Sequence, residues 1–304
     1  MLKCVDNRNL LCLTQRGDPM PPEKVIVITD SSAYIPEDAL RGLDVRVIPL
    51  WLLWDGESFR DGVDIDPRTF YRRLRNSKTL PTSSQPTVGE FVDFYRQVAQ
   101  DADTIVSVLV SKKISGTIAN ARAAVEQLPD LDIRIVDSYN SAMGLGHVVL
   151  AAARAAAAGK SAEEVVAAAE EMRGKINFIF VVDTLEYLHR GGRIGGAKRI
   201  FGTALRVKPL LEFRGGQIEP IEQVRTQNKA YARLLEIAEE RLAGRSIAEA
   251  TVLDIDDSEN GDMVARMVRE RFHPKVLYRG GVSPVVGTHV GPGTVGFAFY
   301  AEEE

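Results

Sequence analysis

Four short segments hold the side chains that can do chemistry. Thr82, Ser83 and Ser84 stand together before a Gln85-Pro86 turn and a helix expected from Val88. Hydroxyls in such a loop donate to an anionic oxygen, and they serve equally well as turn and N-cap partners of the backbone. Ser115-Gly116-Thr117 follows a strand ending at Val110 and opens a helix, so hydroxyls and free amide N–H groups meet the positive end of a helix dipole. That suits a carboxylate or a phosphate, although an ordinary N-cap with a permissive glycine is spelled the same way. The spacing is not GxxxxGK[ST], so a Walker-type nucleotide loop is not supported.

The third segment, residues 185–196 (LEYLHRGGRIGG), joins a short helical stretch to a glycine-rich turn. From Arg190 to Arg214 the chain has seven cations (Arg190, Arg193, Lys198, Arg199, Arg206, Lys208 and Arg214) against one acid, Glu212. Such a patch binds a phosphate, an acidic surface or nucleic acid, or it is a solvated face. Only Phe201 and Phe213 interleave with it, which weakens a single-strand stacking site. In the fourth segment, residues 286–293 (VGTHVGPG), glycines leave His289 room to stand over a ligand, or to make a structural hydrogen bond. The other histidines, His147, His189 and His273, form no HExxH or i, i+4 pair, and no GxSxG elbow occurs. A metal site and a serine hydrolase therefore have no motif behind them.

The elements that must position these groups alternate. Apolar β-branched runs at Val25–Thr29, Val45–Leu50, Thr104–Val110 and Ile133–Val136 read as buried strands, with helices over Pro67–Leu74, Val88–Gln100 and Thr117–Gln127 between them. This is the pattern of a wound parallel α/β sheet, with polar turns at the strand C-terminal ends facing one crevice. An Ala-rich helix over Ser141–Ala158 is closed by Gly159, and Ser161 to Glu164 spells a capping box for the next helix. Beyond Gly174 the character changes. Strands are expected over Asn177–Val182 and near Thr251–Ile255, Val276–Tyr278 and Thr294–Tyr300, with a hairpin over Leu210–Ile221 turning at Gly215-Gly216. Helices through Ala230–Leu242 and Met263–Val268 cover one side of this antiparallel half. The expected organisation is a flexible tail over 1–23, an α/β domain over 24–170 and a second α/β domain over 171–304.

Composition narrows the function. With 304 residues, 45% hydrophobic and 26% charged, the chain suits one or two globular domains. A net charge of -4 argues against wrapping nucleic acid or coating an anionic membrane. The only cysteines, Cys4 and Cys12, lie in the tail, so no disulfide or cysteine–zinc framework exists and a cytoplasmic setting fits. No apolar run reaches the roughly 18–20 residues of a spanning helix, the segment around Val148–Ala158 being broken by Arg154. Leu10–Leu13 is too short for a signal peptide, and Met20 is a second candidate start.

In order, TDSSAYIP (29–36), TSSQPTVGEF (82–91), SGT (115–117), VDS (136–138), LEYLHRGGRI (185–194), KPLLEF (208–213), VRT (224–226) and GTHVGPG (287–293) resemble the DegV family of bacterial fatty-acid-binding proteins. The resemblance runs from Lys24 onward. It implies a two-domain α/β protein, with a wound, mostly parallel N-terminal sheet, an antiparallel C-terminal sheet with helices, and one long-chain fatty acid between them. Members of the FakB type present the acyl carboxylate to a separate ATP-dependent fatty acid kinase, which makes acyl phosphate for phospholipid synthesis. By position, the family's carboxylate contacts fall on Ser83 with Ser84, Ser115 with the Gly116 amide beside it, Arg193 and His289. Ser83 stands where Thr is usual, and Val290 replaces the usual Thr after the histidine.

The resemblance thus implies a carrier without a cofactor, its partners a fatty acid and a kinase, with peripheral membrane contact during lipid exchange and no nucleic acid. No residue set supplies an ATP site or a nucleophile with its base. The competing reading is an enzyme acting on a small acyl or phosphorylated substrate, with Ser115 and His289 catalytic. A further one is a nucleic-acid-binding protein using the 190–214 patch.

Overall fold

The computed structural model describes residues 23–202 and 207–303. The tail expected over 1–23, with Cys4, Cys12 and Met20, lies outside the described residues except for Glu23, and so does Arg206. The chain enters as β1 (Val25–Asp30) and returns as β2 (Val45–Ile48), where Pro49, having no N–H to donate, ends the ladder. The expected Val45–Leu50 strand therefore stops short. Residues beyond it leave the sheet for β3 (Trp51–Trp54) and β4 (Glu57–Arg60), a hairpin not expected from the local pattern. Helix α1 (Pro67–Asn76) starts on Pro67 with Asp66 as its cap, accepting from the Thr69 amide at 2.9 Å. Next, β5 (Thr82–Ser84), expected as loop, pairs antiparallel with β3 in a three-stranded sheet ordered β4-β3-β5.

Helix α2 (Val88–Val98) is opened by a Thr87/Glu90 capping box. Then β6 (Thr104–Leu109), α3 (Thr117–Val125) and β7 (Asp132–Asp137) complete a four-stranded parallel sheet ordered β2-β1-β6-β7. One face of this sheet, with Ile28, Ile105 and Leu109, is buried under Phe91 and Tyr95 of α2 and Ala121 of α3. The other face, with Val27, Val106 and Val108, lies under α4 (Ala142–Ala157) and α5 (Ala162–Lys175) through Leu145, Val149 and Val165. Between β1 and β6 the strand order reverses, which opens a crevice at their C-terminal ends. Asp30 closes its floor, accepting from the Ser32 amide at 3.0 Å and the Val110 amide at 2.8 Å.

A six-stranded sheet begins with β8 (Asn177–Val181). After the short α6 (Glu186–Arg190) comes the hairpin of β9 (Lys208–Arg214) and β10 (Gln217–Val224), turning at Gly215-Gly216 as expected. Helix α7 (Gln227–Leu242), β11 (Ile247–Ile255), α8 (Ser258–Phe272), β12 (Val276–Gly280), α9 (Pro284–Val290) and β13 (Thr294–Ala301) follow. The order is β10-β9-β8-β13-β11-β12. The expected antiparallel sheet is mixed, because β12 runs parallel to β11 after the α8 crossover. Helices α7 and α8 bury one face, and the other turns toward the first half of the chain. No helix among the described residues is long and apolar enough to cross a membrane.

Candidate functional site

A cavity lies between the crevice of the first sheet and the face of the other sheet that α7 and α8 leave uncovered. The space within it, its open mouth included, is about 820 Å3. Leu50, Val110, Ile114 and Ala142 line it from the first half, and Phe178, Phe180, Phe213, Leu253 and Ile255 from the second. These walls are almost wholly hydrocarbon.

The polar lining gathers Ser83, Ser84, Ser115, Arg193 and His289, five of the six expected site residues. They come from four different supports, Ser83 and Ser84 sharing β5. Pairing of Ser83 with the buried Leu52 of β3 turns its hydroxyl inward, while Thr82, one residue earlier, is exposed. Ser83 and Ser84 both line the cavity while Thr82 borders only the outer groove, a distinction the sequence leaves open. Ser115 precedes α3, its Oγ 2.8 Å from Thr117 Oγ1. Arg193 follows α6 through the Gly191-Gly192 turn. His289, expected in a glycine loop, instead sits in the last turn of α9, a helix set by the Ser283 cap and Pro284. Gly116 does not line the cavity, since its free side meets the Gln85 amide, at 3.0 Å from where a Cβ would stand.

His289 Nε2 lies 2.6 Å from Ser83 Oγ. Its Nδ1 is buried with no polar partner among the described residues and faces Gly191, where a Cβ would come within 2.3 Å of it. Only glycine allows that approach. A proton on Nε2 leaves Nδ1 a bare acceptor, the cheaper group to bury unpaired, and frees the Ser83 O–H for a ligand oxygen. Burial, with the nearby Arg193 charge, pushes the His289 pKa down to about 4, so the ring is neutral near pH 7. The half-buried Arg193 donates from Nε to the Ile114 carbonyl at 3.0 Å and from Nη1 to the Gly191 carbonyl at 2.7 Å. No carboxylate among the described residues pairs with it. Burial lowers its pKa, but a guanidinium keeps its charge. A positive charge fixed by two carbonyls, with hydroxyls beside it and no counter-ion, is a place for an anion.

The enzymatic reading places Ser115 with His289, and a full triad adds a group that orients the ring through its other nitrogen. The geometry instead puts Ser83 on Nε2, and among the described residues no polar atom meets Nδ1. Ser83, Arg193 and His289 also border an outer groove with Lys78, Thr82, Tyr187 and Arg190, so they stand between the apolar cavity and the surface. Elsewhere in the basic stretch four cations meet acids: Arg190 with Glu186, Arg199 with Glu219, Lys208 with Asp183 and Arg214 with Glu212. Val290, the departure after the histidine, is part of the cavity wall. Ser32, Gln85 and Ser141 also line it and were not singled out from sequence, although Ser32 carries the mark of a polar residue just past a parallel strand's C-terminal end.

Comparison with known proteins adds the following. The sequence model described as "Uncharacterised protein, DegV family" matches residues 24–302. A DegV domain-containing protein of Halalkalibacterium halodurans is 33% identical over 281 residues, 92% of this chain and 99% of that protein. Among solved structures, a fatty-acid-binding DegV family protein from Thermus thermophilus superposes with a TM-score of 0.86 at 32% identity, covering 92% of this chain and 100% of that one. DegV of Bacillus subtilis, described as a fatty acid binding protein, gives 0.84 at 32% identity, covering 92% and 100%.

Proposed function

The chain belongs to the DegV family, and from that premise we propose that it is a fatty-acid carrier that holds one long acyl chain in the apolar cavity and offers its carboxylate outward to a separate, ATP-dependent fatty acid kinase. The observation that carries this reading is the Arg193 guanidinium, held by two carbonyls and met by no carboxylate among the described residues, beside the Ser83–His289 pair at the polar side of an otherwise hydrocarbon cavity. A sixteen-carbon chain gains on the order of 12 kcal/mol at about 0.8 kcal/mol per methylene, before the ordering costs of binding. The chain supplies retention. Ser83, Ser84, Ser115 and Arg193 supply the donors that fix the carboxylate, and His289, donating to Ser83 Oγ, turns the Ser83 O–H toward it. The outer groove leaves the same groups open to a partner that brings the phosphoryl donor. The protein works in the cytoplasm as two domains, 24–170 and 171–304, with the lipid between them, and meets a membrane only peripherally to exchange it.

Denaturing extraction and mass spectrometry of the purified protein tests the binding half of the proposal. One equivalent of a long-chain fatty acid is expected, and a lipid-free extract from protein that also refuses added fatty acid would overturn it. With a fatty acid kinase and ATP added, acyl phosphate forms, and Ser115→Ala and His289→Ala cut that formation more than they cut fatty acid retention. Equal losses would contradict the division between chain and headgroup.

A further inference from the structure

The helix that carries His289 is tied to the first half of the molecule by a buried carboxylate that plays no part in the site. Asp61 follows β4 and is 2% exposed. Its Oδ2 accepts from Ser31 Oγ at 2.7 Å, and that oxygen accepts in turn from the Leu50 amide at 3.0 Å. Its Oδ1 accepts from the Val285 amide at 3.3 Å, in the first turn of α9 and 224 residues away in sequence. The turn after β1, the loop after β4 and the start of α9 therefore meet at one side chain.

We infer that Asp61 is a positioning residue: through the Val285 amide it holds α9, and with it the His289 imidazole, in register with Ser83, so that the charge on Asp61 sets how firmly the ligand's carboxylate is gripped. The last step rests on the carrier reading above. The ionised carboxylate accepts from Val285 and complements the positive end of α9. The Val285 N–H can only donate, so a proton goes to Oδ2, where Ser31 Oγ turns to accept it, and the Oδ1 bond to Val285 persists without the help of the charge. The titratable groups around Asp61 are Asp30 on β1, Tyr34 in the turn that follows and Tyr71 on α1, with no cation paired to it among the described residues. Burial, partly offset by bonds from Ser31, Ser283 and Val285, pushes its pKa up to about 6. Because that charge is held against desolvation, removing it does not have to weaken the fold.

The test follows amide exchange of α9, corrected for the intrinsic rate, and release of labelled palmitate from about pH 7.5 to about pH 5, in wild type and Asp61→Asn. In wild type both accelerate on the order of tenfold as pH falls through about 6, the difference between a hydrogen bond to a charged acceptor and one to a neutral acceptor. Asp61→Asn shows the fast values across the whole range while its melting temperature stays at or above that of wild type, a separation that a merely structural role would not give. Flat wild-type exchange through pH 6, or a variant that matches wild type at pH 7.5, would overturn the inference even where palmitate binds. Protein that shows the exchange step but takes up no palmitate would overturn the carrier reading and leave the hold of Asp61 on α9 standing. A variant that fails to fold leaves the wild-type profile as the deciding measurement.

Discussion

Along β8 and β13, residues one position apart meet opposite surroundings. Ile179, Val181, Phe297 and Phe299 turn toward α7 and α8 and lie in a closed core, where the two phenylalanines stack at 4.7 Å. Phe178 and Phe180 turn the other way and line the cavity, Phe178 stacking on Phe213 at 5.8 Å. Aromatic content is similar on both faces. The difference is the opposing layer: two helices interdigitate with the closed face, while the open face is separated by a gap from the crevice of another sheet. Alternation in a strand thus decides which residues share a face, and only tertiary packing decides whether that face is filled.

The sharpest break in this comparison is expected at the closed face. Phe297→Ala removes a fully buried ring from a packed layer and should cost about 3–5 kcal/mol of unfolding free energy, the transfer loss plus the cavity left behind. Denaturant titration reads this directly. On the open face Phe180→Ala enlarges a space that already exists, so the transfer loss alone, about 1.5–3 kcal/mol, should remain, and added palmitate should recover part of it. Equal destabilisation of the two variants, with no recovery by palmitate, would mean that the cavity closes in solution and that the two faces are alike.

A smaller effect, confined to binding, is expected where the open face meets its polar groups. Arg193→Gln removes a guanidinium that contacts only two carbonyls within the described chain. Its loss should weaken palmitate binding by about 1.5 kcal/mol, roughly tenfold in Kd, while the melting temperature changes little. Calorimetric titration of lipid-free protein checks this, and a variant that unfolds without any change in Kd would make Arg193 a structural strut.

The same contrast explains how much could be read beforehand. The four parallel strands, the Ser161–Glu164 capping box and the Gly215-Gly216 turn follow from local apolar runs, caps and glycines, and all are present. What escaped is held by distant partners. Thr82–Ser84 has no apolar alternation and is a strand only because β3 offers it an edge. Residues 284–290, rich in β-branched side chains and containing Gly287, form a helix because the Ser283 cap, Pro284 and the Asp61 carboxylate satisfy its first turn. β12 runs parallel to β11 because α8 carries the chain back before it pairs, and no feature of Val276–Gly280 itself records that. The site divides in the same way. Family-like motifs brought Ser83, Arg193 and His289 to attention, but the choice of Ser83 over Thr82 lies in a strand register, and the displacement of Gly116 from the cavity lies in the placement of Gln85. Long-range pairing leaves no local spelling.

The smallest expected effect is the most selective, because it compares two neutral histidines inside one chain. His147 on α4 is fully buried, its Nε2 3.0 Å from Thr251 Oγ1, and burial together with the Arg154 charge pushes its pKa down to about 3. His289 is held down to about 4 by burial and by Arg193. Both are lowered from the ordinary 6.5, so between that pH and their folded values the unfolded chain binds protons that the folded chain does not. Their contribution to stability is therefore complete above about pH 6.5 and is lost as pH falls toward 4 and then 3. A ligand carboxylate placed beside Arg193 and Ser83 cancels much of the guanidinium field at His289 and favours the imidazolium. Half-protonation of His289 should move up by about one pH unit, equivalent to about 1.4 kcal/mol, when palmitate is bound. His147, which does not line the cavity, should not move. Imidazole resonances followed through an acid titration of lipid-free and palmitate-loaded protein separate the two rings. A common shift would report a global change on loading, whereas an upward shift at His289 alone would place the ligand's negative charge on the open side of the molecule, next to Arg193.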